Sequence, residues 1–559
     1  MGVKIQNTPI FVFIKKVEFM AYKNKYQQEK QQYSVDGGTT WFDVTPPNYR
    51  KGRLLEVGHL GDDCNEPVIL DGDYLTTEIL GNGTIEMAKR TIGFIPMQDE
   101  DYPTYPLTDI AYSKNDGEWV AIDYFDTITV TTGDKIRWKA IGYESNNVVS
   151  TGYIAQQSNN SDYLMYGIFS VIFCTAEYKV YGNPKSLLYG DNFENVDETN
   201  KTVQFIRLFT ELGNIYNQVI DAEGLYIPTN MANYCCWGMF ESSKLVTPPV
   251  LSSTDLTRGC YERMFNRCKW LTSTPTLPAT TLARGCYEGM FMECESITTP
   301  PQLPATNLAT YCYNHMFYFC ENLSTTPTLP ATTLFSHCYD GMFTHTGITS
   351  TPELPANNLA DYCYKSMFSH CENLMTTTTL SASRLANYCY SEMFFDCTRL
   401  ANAPQLPATN LADHCYDLMF SRCTSLVTTP TLPATTLANY CYWGMFDGCT
   451  SLYNVTALPA NNLMEGCYQI MFRGCTRMTD APQLPATTAA INCYREMFSN
   501  CTSLRYINCK LLYFAQGSTT DWVSGVPTSG GTFIYKCLNE NWTSGVNGYP
   551  SDWIRSCTN

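Results

Sequence analysis

Leu282-Ala283-Arg284-Gly285-Cys286-Tyr287-Glu288-Gly289-Met290-Phe291-Met292-Glu293-Cys294 is a stretch that this chain writes again and again. It returns as Leu308 to Cys320, Leu411 to Cys423, Leu437 to Cys449 and Leu463 to Cys475. Its kernel, Cys-Tyr-x-x-Met-Phe, begins at Cys260, Cys286, Cys312, Cys338, Cys363, Cys389, Cys415, Cys441, Cys467 and Cys493. An imperfect copy starts at Cys235, with Cys236 in the Tyr position ahead of Met239-Phe240. Neighbouring copies are 26 residues apart eight times and 25 apart twice, at 235 to 260 and 338 to 363. A fixed period of this size is the mark of a solenoid.

Within one copy Leu282, Cys286, Met290 and Cys294 fall four apart, and Ala283, Tyr287 and Phe291 form the adjoining row. That spacing predicts one apolar face of a short helix. Ser296 to Thr299 then predicts a short strand, stopped by Pro300-Pro301. Leu303-Pro304-Ala305-Thr306 turns the chain toward the next helix, with Thr306 or Asn307 as its N-cap. A single coil buries too little apolar surface to offset the entropy of ordering its backbone, so neighbours must cover both of its sides. The expected fold class is an α/β repeat, a solenoid of about eleven coils, preceded by small all-β modules. The short step before Cys363, Thr346 in place of the second cysteine, and Leu380-Ser381-Ala382-Ser383 in place of Leu-Pro-Ala-Thr predict a local irregularity over 344–383.

The 26 cysteines do not read as a disulfide framework. If the repeated segment is helical, its two cysteines lie about 12 Å apart along the axis. A disulfide spans at most ~7 Å between Cα atoms. The short Cys-x(2–4)-Cys spacings of structural zinc are absent from the repeat. The cysteines read as small apolar residues stacked in a free-thiol ladder.

Outside the array, Ser34-Val35-Asp36-Gly37-Gly38-Thr39-Thr40-Trp41 carries an Asp-Gly hairpin signal. It also resembles the Asp-box of sialidases, a structural turn in that family. A looser echo at Tyr112 to Trp119 leads to Val120–Ile122. Thr127–Val130 and Ile136–Ile141 flank a Gly133-Asp134 turn and predict another hairpin. Tyr163 to Val180 reads as strands. Phe205, Leu208, Phe209, Leu212 and Ile215 have helical spacing and predict a cap on the first coil. After Cys509 the period is lost, and Trp522 and Trp542, in near-identical Trp-x-Ser-Gly-Val settings, are expected to plug the last coil. The expected organisation is a β module over 1–100, a β-rich module over 101–200, a cap over 201–234, the solenoid over 235–510 and a C-terminal cap over 511–559.

The repeat also carries a resemblance. Leu277-Pro278-Ala279-Thr280-Thr281-Leu282-Ala283, the Cys-Tyr-x-x-Met-Phe kernel and Cys449-Thr450-Ser451-Leu452 look like the BspA-like leucine-rich repeats. Gly182-Asn183-Pro184 to Phe193 and the Trp553 region are also similar to that group. Such repeats occur in surface proteins of anaerobic gut bacteria and in fibre-type proteins of their tailed phages, including the crAss-like group. The resemblance implies a leucine-rich-repeat solenoid used for adhesion or virion attachment, and no catalytic residues.

Charged residues make up 16% of the chain and the net charge is −17, which speaks against nucleic acid or anionic membrane as a partner. The first apolar run, Ile10 to Ile14, ends at Lys15-Lys16 and is too short for a secretory signal or a membrane span. That favours the phage relatives over the bacterial ones. The expectation is therefore a virion attachment protein, docked to other virion proteins through its N-terminal region, with a host-surface glycan or protein met by the solenoid. A homo-oligomer is compatible with this, and a gut-bacterial cell-surface adhesin is the alternative. No phosphate loop, zinc-protease helix or nucleophile elbow is present. No catalytic, cofactor-binding or metal residue is nominated, no cofactor is expected, and the binding residues are left open. Asp71 with Asp73, and Asp99 with Asp101, are the only acidic pairs noted for calcium. The histidines, His59, His315, His337, His345, His370 and His414, give no obvious ladder.

Overall fold

A computed structural model describes residues 32–34, 41–43, 73–92, 110–141, 152–159, 162–194, 203–538 and 541–558. His59, Asp71, Asp99, Asp101 and the apolar run at 10–14 lie outside the described residues. The chain divides into a unit of residues 1–64 and a unit of residues 65–559. In the first, β1 (Gln32–Ser34) and β2 (Trp41–Asp43) pair antiparallel with Tyr33 opposite Phe42, as the expected hairpin requires, while Asp36-Gly37 lies outside the described residues.

The second unit opens with two sheets that share one apolar core. Its strands are β3 (Thr76–Ile79), β4 (Gly83–Ile92), β5 (Ile110–Lys114), β6 (Val120–Ile122), β7 (Thr127–Val130), β8 (Lys135–Ala140), β9 (Gly152–Asn159), β10 (Asp162–Cys174), β11 (Tyr178–Tyr181) and β12 (Val219–Asp221). One sheet runs β7-β4-β10-β9 and the other β12-β11-β3-β8-β5-β6. Strands on either side of residue 100 therefore lie in the same two sheets. Ile85, Ile128 and Ile172 of the first sheet pack with Ile79, Ile136 and Trp138 of the second. The hairpin expected around Gly133-Asp134 is corrected: β7 pairs with β4, whereas β8 pairs with β3 and β5. The turn between them is a corner from one sheet to the other. Asp134 fixes it by accepting the Thr131 N–H at 2.8 Å and pairing with Lys114 at 2.7 Å. Those contacts hold its carboxyl well below the usual range, with Lys114 the largest cause.

β11 hands the second sheet to the solenoid, since it pairs parallel with β12 and β12 continues into the parallel bridge Asp221 to Thr247. From there the repeats stack, and the expected α/β coil is corrected. The segment Leu282–Cys294 is not a helix. Gly285, Gly289 and Glu293 have φ of 60°, 57° and 57°, so every fourth residue is left-handed. Cys286, Glu288, Met290, Met292 and Cys294 donate their N–H groups three residues back, to Ala283, Gly285, Tyr287, Gly289 and Phe291, at 3.1–3.3 Å. The amides between them, on Gly285, Tyr287, Gly289, Phe291 and Glu293, reach carbonyls of the next coil at 2.7–3.1 Å. The segment is a ribbon of successive tight turns. A helix would satisfy every amide within its own coil; here alternate amides tie one coil to the next, as a stack without a self-sufficient unit requires.

The strand expected at 296–299 shrinks to isolated parallel bridges, such as Ser350 to Thr376 and Thr428 to Asn454. Thr306 and Asn307 cap no helix: both amides reach Thr280 O, and Asn307 bridges Thr281. The Cys-Met-Cys and Tyr-Phe rows point inward. Phe265, Phe291, Phe317, Phe343 and Phe368 stack in series with centroids 5.5–5.8 Å apart, and the kernel tyrosines form a second column. The result is a solenoid of stacked turn ribbons with aromatic columns through its core.

The free-thiol ladder is present. All 23 free cysteines among the described residues are buried, and burial pushes the Cys320 thiol up to about 12. The second cysteine of a coil donates its S–H to the Phe carbonyl of the coil before, as Cys294 does to Phe265 O at 3.0 Å. The two short steps share one device. Ser243-Lys244-Leu245 and Thr346-Gly347-Ile348 replace Cys-x-x-Leu, so a hydroxyl stands for the thiol and one residue drops out. Ser243 Oγ and Thr346 Oγ1 each meet the next coil's thiol, Cys268 or Cys371, at 3.4 Å. The irregularity expected over 344–383 is thus a local trim, and the ring columns run through it unbroken.

Rungs of the same construction close both ends. Phe205 to Leu212, expected to be helical, forms turns whose amides bond to Cys235, Trp237, Met239 and Glu241, and Phe209 stacks on Phe240 at 5.3 Å. Beyond Cys509 the turn backbone persists although the lettering changes. Gly517, Asp521 and Gly525 are left-handed, and Ser518, Trp522 and Val526 stand where Cys, Met and Cys stood. Trp522 covers Tyr494 and Phe498, and Trp542 stacks on Trp522 at 5.4 Å. A parallel sheet of β13 (Tyr506–Asn508), β14 (Ser529–Lys536) and β15 (Asp552–Thr558) finishes the chain, with Cys537 and Cys557 joined by a disulfide.

Candidate binding face

Because the ribbon repeats every four residues, its left-handed positions face outward in three rows. The row immediately before the kernel cysteine differs along the stack. It reads Tyr234, then Gly259 and Gly285, then Tyr311, His337, Tyr362, Tyr388, His414 and Tyr440, then Gly466 and Asn492. The six rings stack in one half-buried stripe, with successive centroids 4.6, 4.5, 4.7, 4.4 and 4.9 Å apart and planes within 12° of parallel. The row seven residues after the cysteine adds Phe319, His345 and His370, stacked at 4.1 and 4.2 Å. His337 and His414 therefore share one repeat position and His345 and His370 another, which corrects the expectation that the histidines form no ladder.

The spacings show which way the stack bends. Tyr362 and Tyr388 are 4.7 Å apart at the surface; Tyr364 and Tyr390, two residues further along the same coils, are 5.8 Å apart in the core. Coils converge toward the ribbon surface, so the aromatic stripe lies on the inner side of the curve.

Polar contacts fix the rings. His337 Nδ1 lies 2.7 Å from Asp340 Oδ2, and His414 Nδ1 lies 2.9 Å from Asp417 Oδ2. Holding Nδ1 inward turns Nε2 toward the open edge. Burial raises the Asp417 carboxyl despite the imidazole beside it. Burial, followed by the neighbouring His370, lowers His345. Beside the stripe runs a ladder in which Asn387, Asp413 and Asn439 donate backbone N–H groups to the side chains of Asp361, Asn387 and Asp413 at 2.9–3.2 Å. The Arg284 guanidinium sits over Tyr311 at one end, 5.6 Å from its centroid. At the other end the Tyr440 hydroxyl donates to Glu465 at 2.7 Å.

Glycine marks the limits of the stripe for a steric reason. Gly466 has φ 55°, and a Cβ there would stand 2.2 Å from the Tyr440 ring. Short of the other end, Glu262 and Glu288 fold over the space left by Gly285. Their Oε2 atoms lie 3.9 and 3.1 Å from the place its Cβ would take. Burial, then the neighbouring Glu262, pushes the Glu288 carboxyl up to about 8.

Among the described residues, no three His, Cys, Asp or Glu side chains are placed to hold a metal ion, and no helix is long and apolar enough to cross a membrane. No family model matches the chain, and no curated protein sequence matches it. Among solved structures, the crystal structure of a TLR13–ssRNA13 complex aligns with 64% of this chain and 48% of that one, at 12% identity and a TM-score of 0.22. A likeness that low carries no argument about fold or function. The solenoid rests on its own stacking pattern.

Proposed function

We propose that this chain is a non-enzymatic attachment protein whose solenoid binds a host-surface molecule through the inner aromatic face. The observation that carries the reading is the row before the kernel cysteine. It holds a ring at six consecutive coils, flanked by glycine at Gly259, Gly285 and Gly466, while Tyr234 stands apart at the first coil. A row serving only the fold has no reason to change character there, because the same coil accepts glycine at Gly285 and Gly466 with the same backbone. A leucine-rich-repeat-like solenoid is typically a binding scaffold, and its core groups are inert: the thiols are buried and raised.

The BspA-like resemblance supports a place on a phage particle, as a fibre or spike. The two-sheet N-terminal region would dock to other virion proteins and the solenoid would face outward. The alternative placement is the surface of a gut bacterium. Mass spectrometry of purified particles separates the two, and absence of the chain from particles overturns the virion placement. Binding of the full-length protein to host cells tests attachment itself; no retention on any candidate host removes it.

A further inference from the structure

The stripe says more than that something binds there. Its rings are already in face-to-face contact with one another, so no ligand ring can stack upon them. What the stripe offers is a line of edges: tyrosine hydroxyls and, at His337 and His414, an imidazole nitrogen with the opposite nitrogen held by an aspartate. One such group recurs per coil, at intervals of 4.4–4.9 Å. A ligand that matches the line must repeat its hydrogen-bonding groups at that interval.

A peptide strand laid along the axis does not, because it advances about 3.3 Å per residue and returns to the same face only every second residue. An extended sugar chain does, since one pyranose unit spans about that length and presents hydroxyls from every unit. Charge narrows the class. Asp361 and Asp413 border the stripe and Glu465 closes one end, while Lys365 lies 6.0 Å from the centroid of Tyr362 and Arg284 covers Tyr311, so the border carries mixed charge and offers no continuous field for an anionic polymer. The same two aspartates already accept a neighbour's backbone N–H and alternate with asparagines, so they form no continuous rail for a polycation.

We infer that the Tyr311–Tyr440 stripe takes a neutral, unbranched polysaccharide laid along the solenoid axis, one sugar unit to a coil. The inference rests on the attachment reading of the same face and names its ligand class, register and length. The end groups agree with a site of finite length: Arg284 covers the outer face of Tyr311, and Glu465 engages the hydroxyl of Tyr440.

The test uses the full chain on an array of linear oligosaccharides of graded length, in neutral, carboxylated and amine-bearing series, with branched glycans alongside. The variant is Tyr362→Gly with Tyr388→Gly, which copies the residue that Gly285 and Gly466 place at the same left-handed position and so keeps the coil's backbone. The control is Gln405→Ala with Thr431→Ala, exposed residues outside the turn ribbons. Affinity is expected to climb with neutral chain length and level off at about six units, and to fall at least ~10-fold in the tyrosine variant but not in the control. Binding that is independent of length, confined to a charged or branched series, or equal in the tyrosine variant overturns the inference and leaves attachment standing. Binding to no glycan by a protein that still holds host cells also overturns it. Loss of both glycan and host-cell binding removes the attachment reading as well.

Discussion

Phe394→Ala tests whether the aromatic column is what keeps the solenoid's coils together. Phe394 is fully buried, with Phe368 stacked at 5.7 Å on one side and Phe420 at 5.5 Å on the other. Its truncation removes ring burial and leaves a cavity, a change that costs about 3–5 kcal/mol in packed cores. Because each coil touches only its neighbours, the loss falls on two interfaces instead of being shared along the rod. At about 1.4 kcal/mol per tenfold, local opening should become roughly a hundred to a few thousand times more frequent. Amide hydrogen exchange reads this directly. The Phe368 and Phe394 amides, bonded to Met393 O and Met419 O at 3.0 and 2.9 Å, should exchange faster by that factor. The Phe265 and Phe472 amides, which make the same bond in remote coils, should keep wild-type rates. Equal acceleration at all four would mean that the array opens as one unit. No acceleration at any would mean that the column contributes nothing, and the account of the fold would fail.

Three further outcomes follow from particular contacts. Native protein should resist thiol reagents at pH 8, since burial pushes thiols such as Cys389 up to about 12; titration of the repeat cysteines without denaturant would contradict the ladder. Gly466→Ala should lower the melting temperature, because a left-handed alanine costs roughly 1–2 kcal/mol and its Cβ would meet the Tyr440 ring. Adding Tyr440→Ala should restore the steric part only, and a double variant no more stable than the single would refute the clash. Burial and then Glu262 raise the Glu288 carboxyl from 4.5 to about 8, so the folded chain holds a proton that the unfolded chain releases between those values. Stability from this site is fully present below about pH 4.5 and declines as pH rises from there toward 8. Glu288→Gln should flatten that decline in a melting-temperature series, and an unchanged slope would show that the site does not titrate there.

The period, the inward Cys, Tyr, Met and Phe rows and the free thiols were legible in the sequence because stacking copies the lettering from coil to coil. The backbone was misread although its signal was present. An α-helix turns once in 3.6 residues, so a row repeated every four, as from Leu282 to Cys294, would swing about a third of a turn around its axis. A true period of four excludes a straight helical face. Glycine gave the second signal: Gly259, Gly285, Gly289, Gly341, Gly444, Gly448, Gly466 and Gly474 all fall one before, three after or seven after a kernel cysteine, and all have positive φ. Counting from the cysteine would also have aligned His337 with His414 and His345 with His370. The corner at Gly133-Asp134 was not legible, because two β runs around a tight turn spell a hairpin unless their distant partners, β3 and β4, are known. The Cys537–Cys557 link likewise depends on β14 and β15 lying side by side.

The stripe's composition separates what the fold needs from what has been added to it. Holding a tyrosine or histidine at a left-handed position costs roughly 1–2 kcal/mol where glycine would cost nothing of the kind. Stacking on two neighbours returns a similar amount, about 0.5–1.5 kcal/mol per ring pair. The sum is near zero, so stability neither demands the rings nor forbids them. It favours unbroken blocks, since stacking offsets the strain; Tyr234, next to Gly259 in the row, sits instead under the Arg258 guanidinium, 5.5 Å from its centroid. That explains why the block is continuous from Tyr311 to Tyr440. Stability does not explain why every member carries a polar edge when phenylalanine stacks as well and is used in the core column a few residues away. A continuous run of hydroxyls and imidazoles on the inner curve is the part of the solenoid that stacking leaves unaccounted for, and recognition of a repeating, hydrogen-bonding ligand accounts for it.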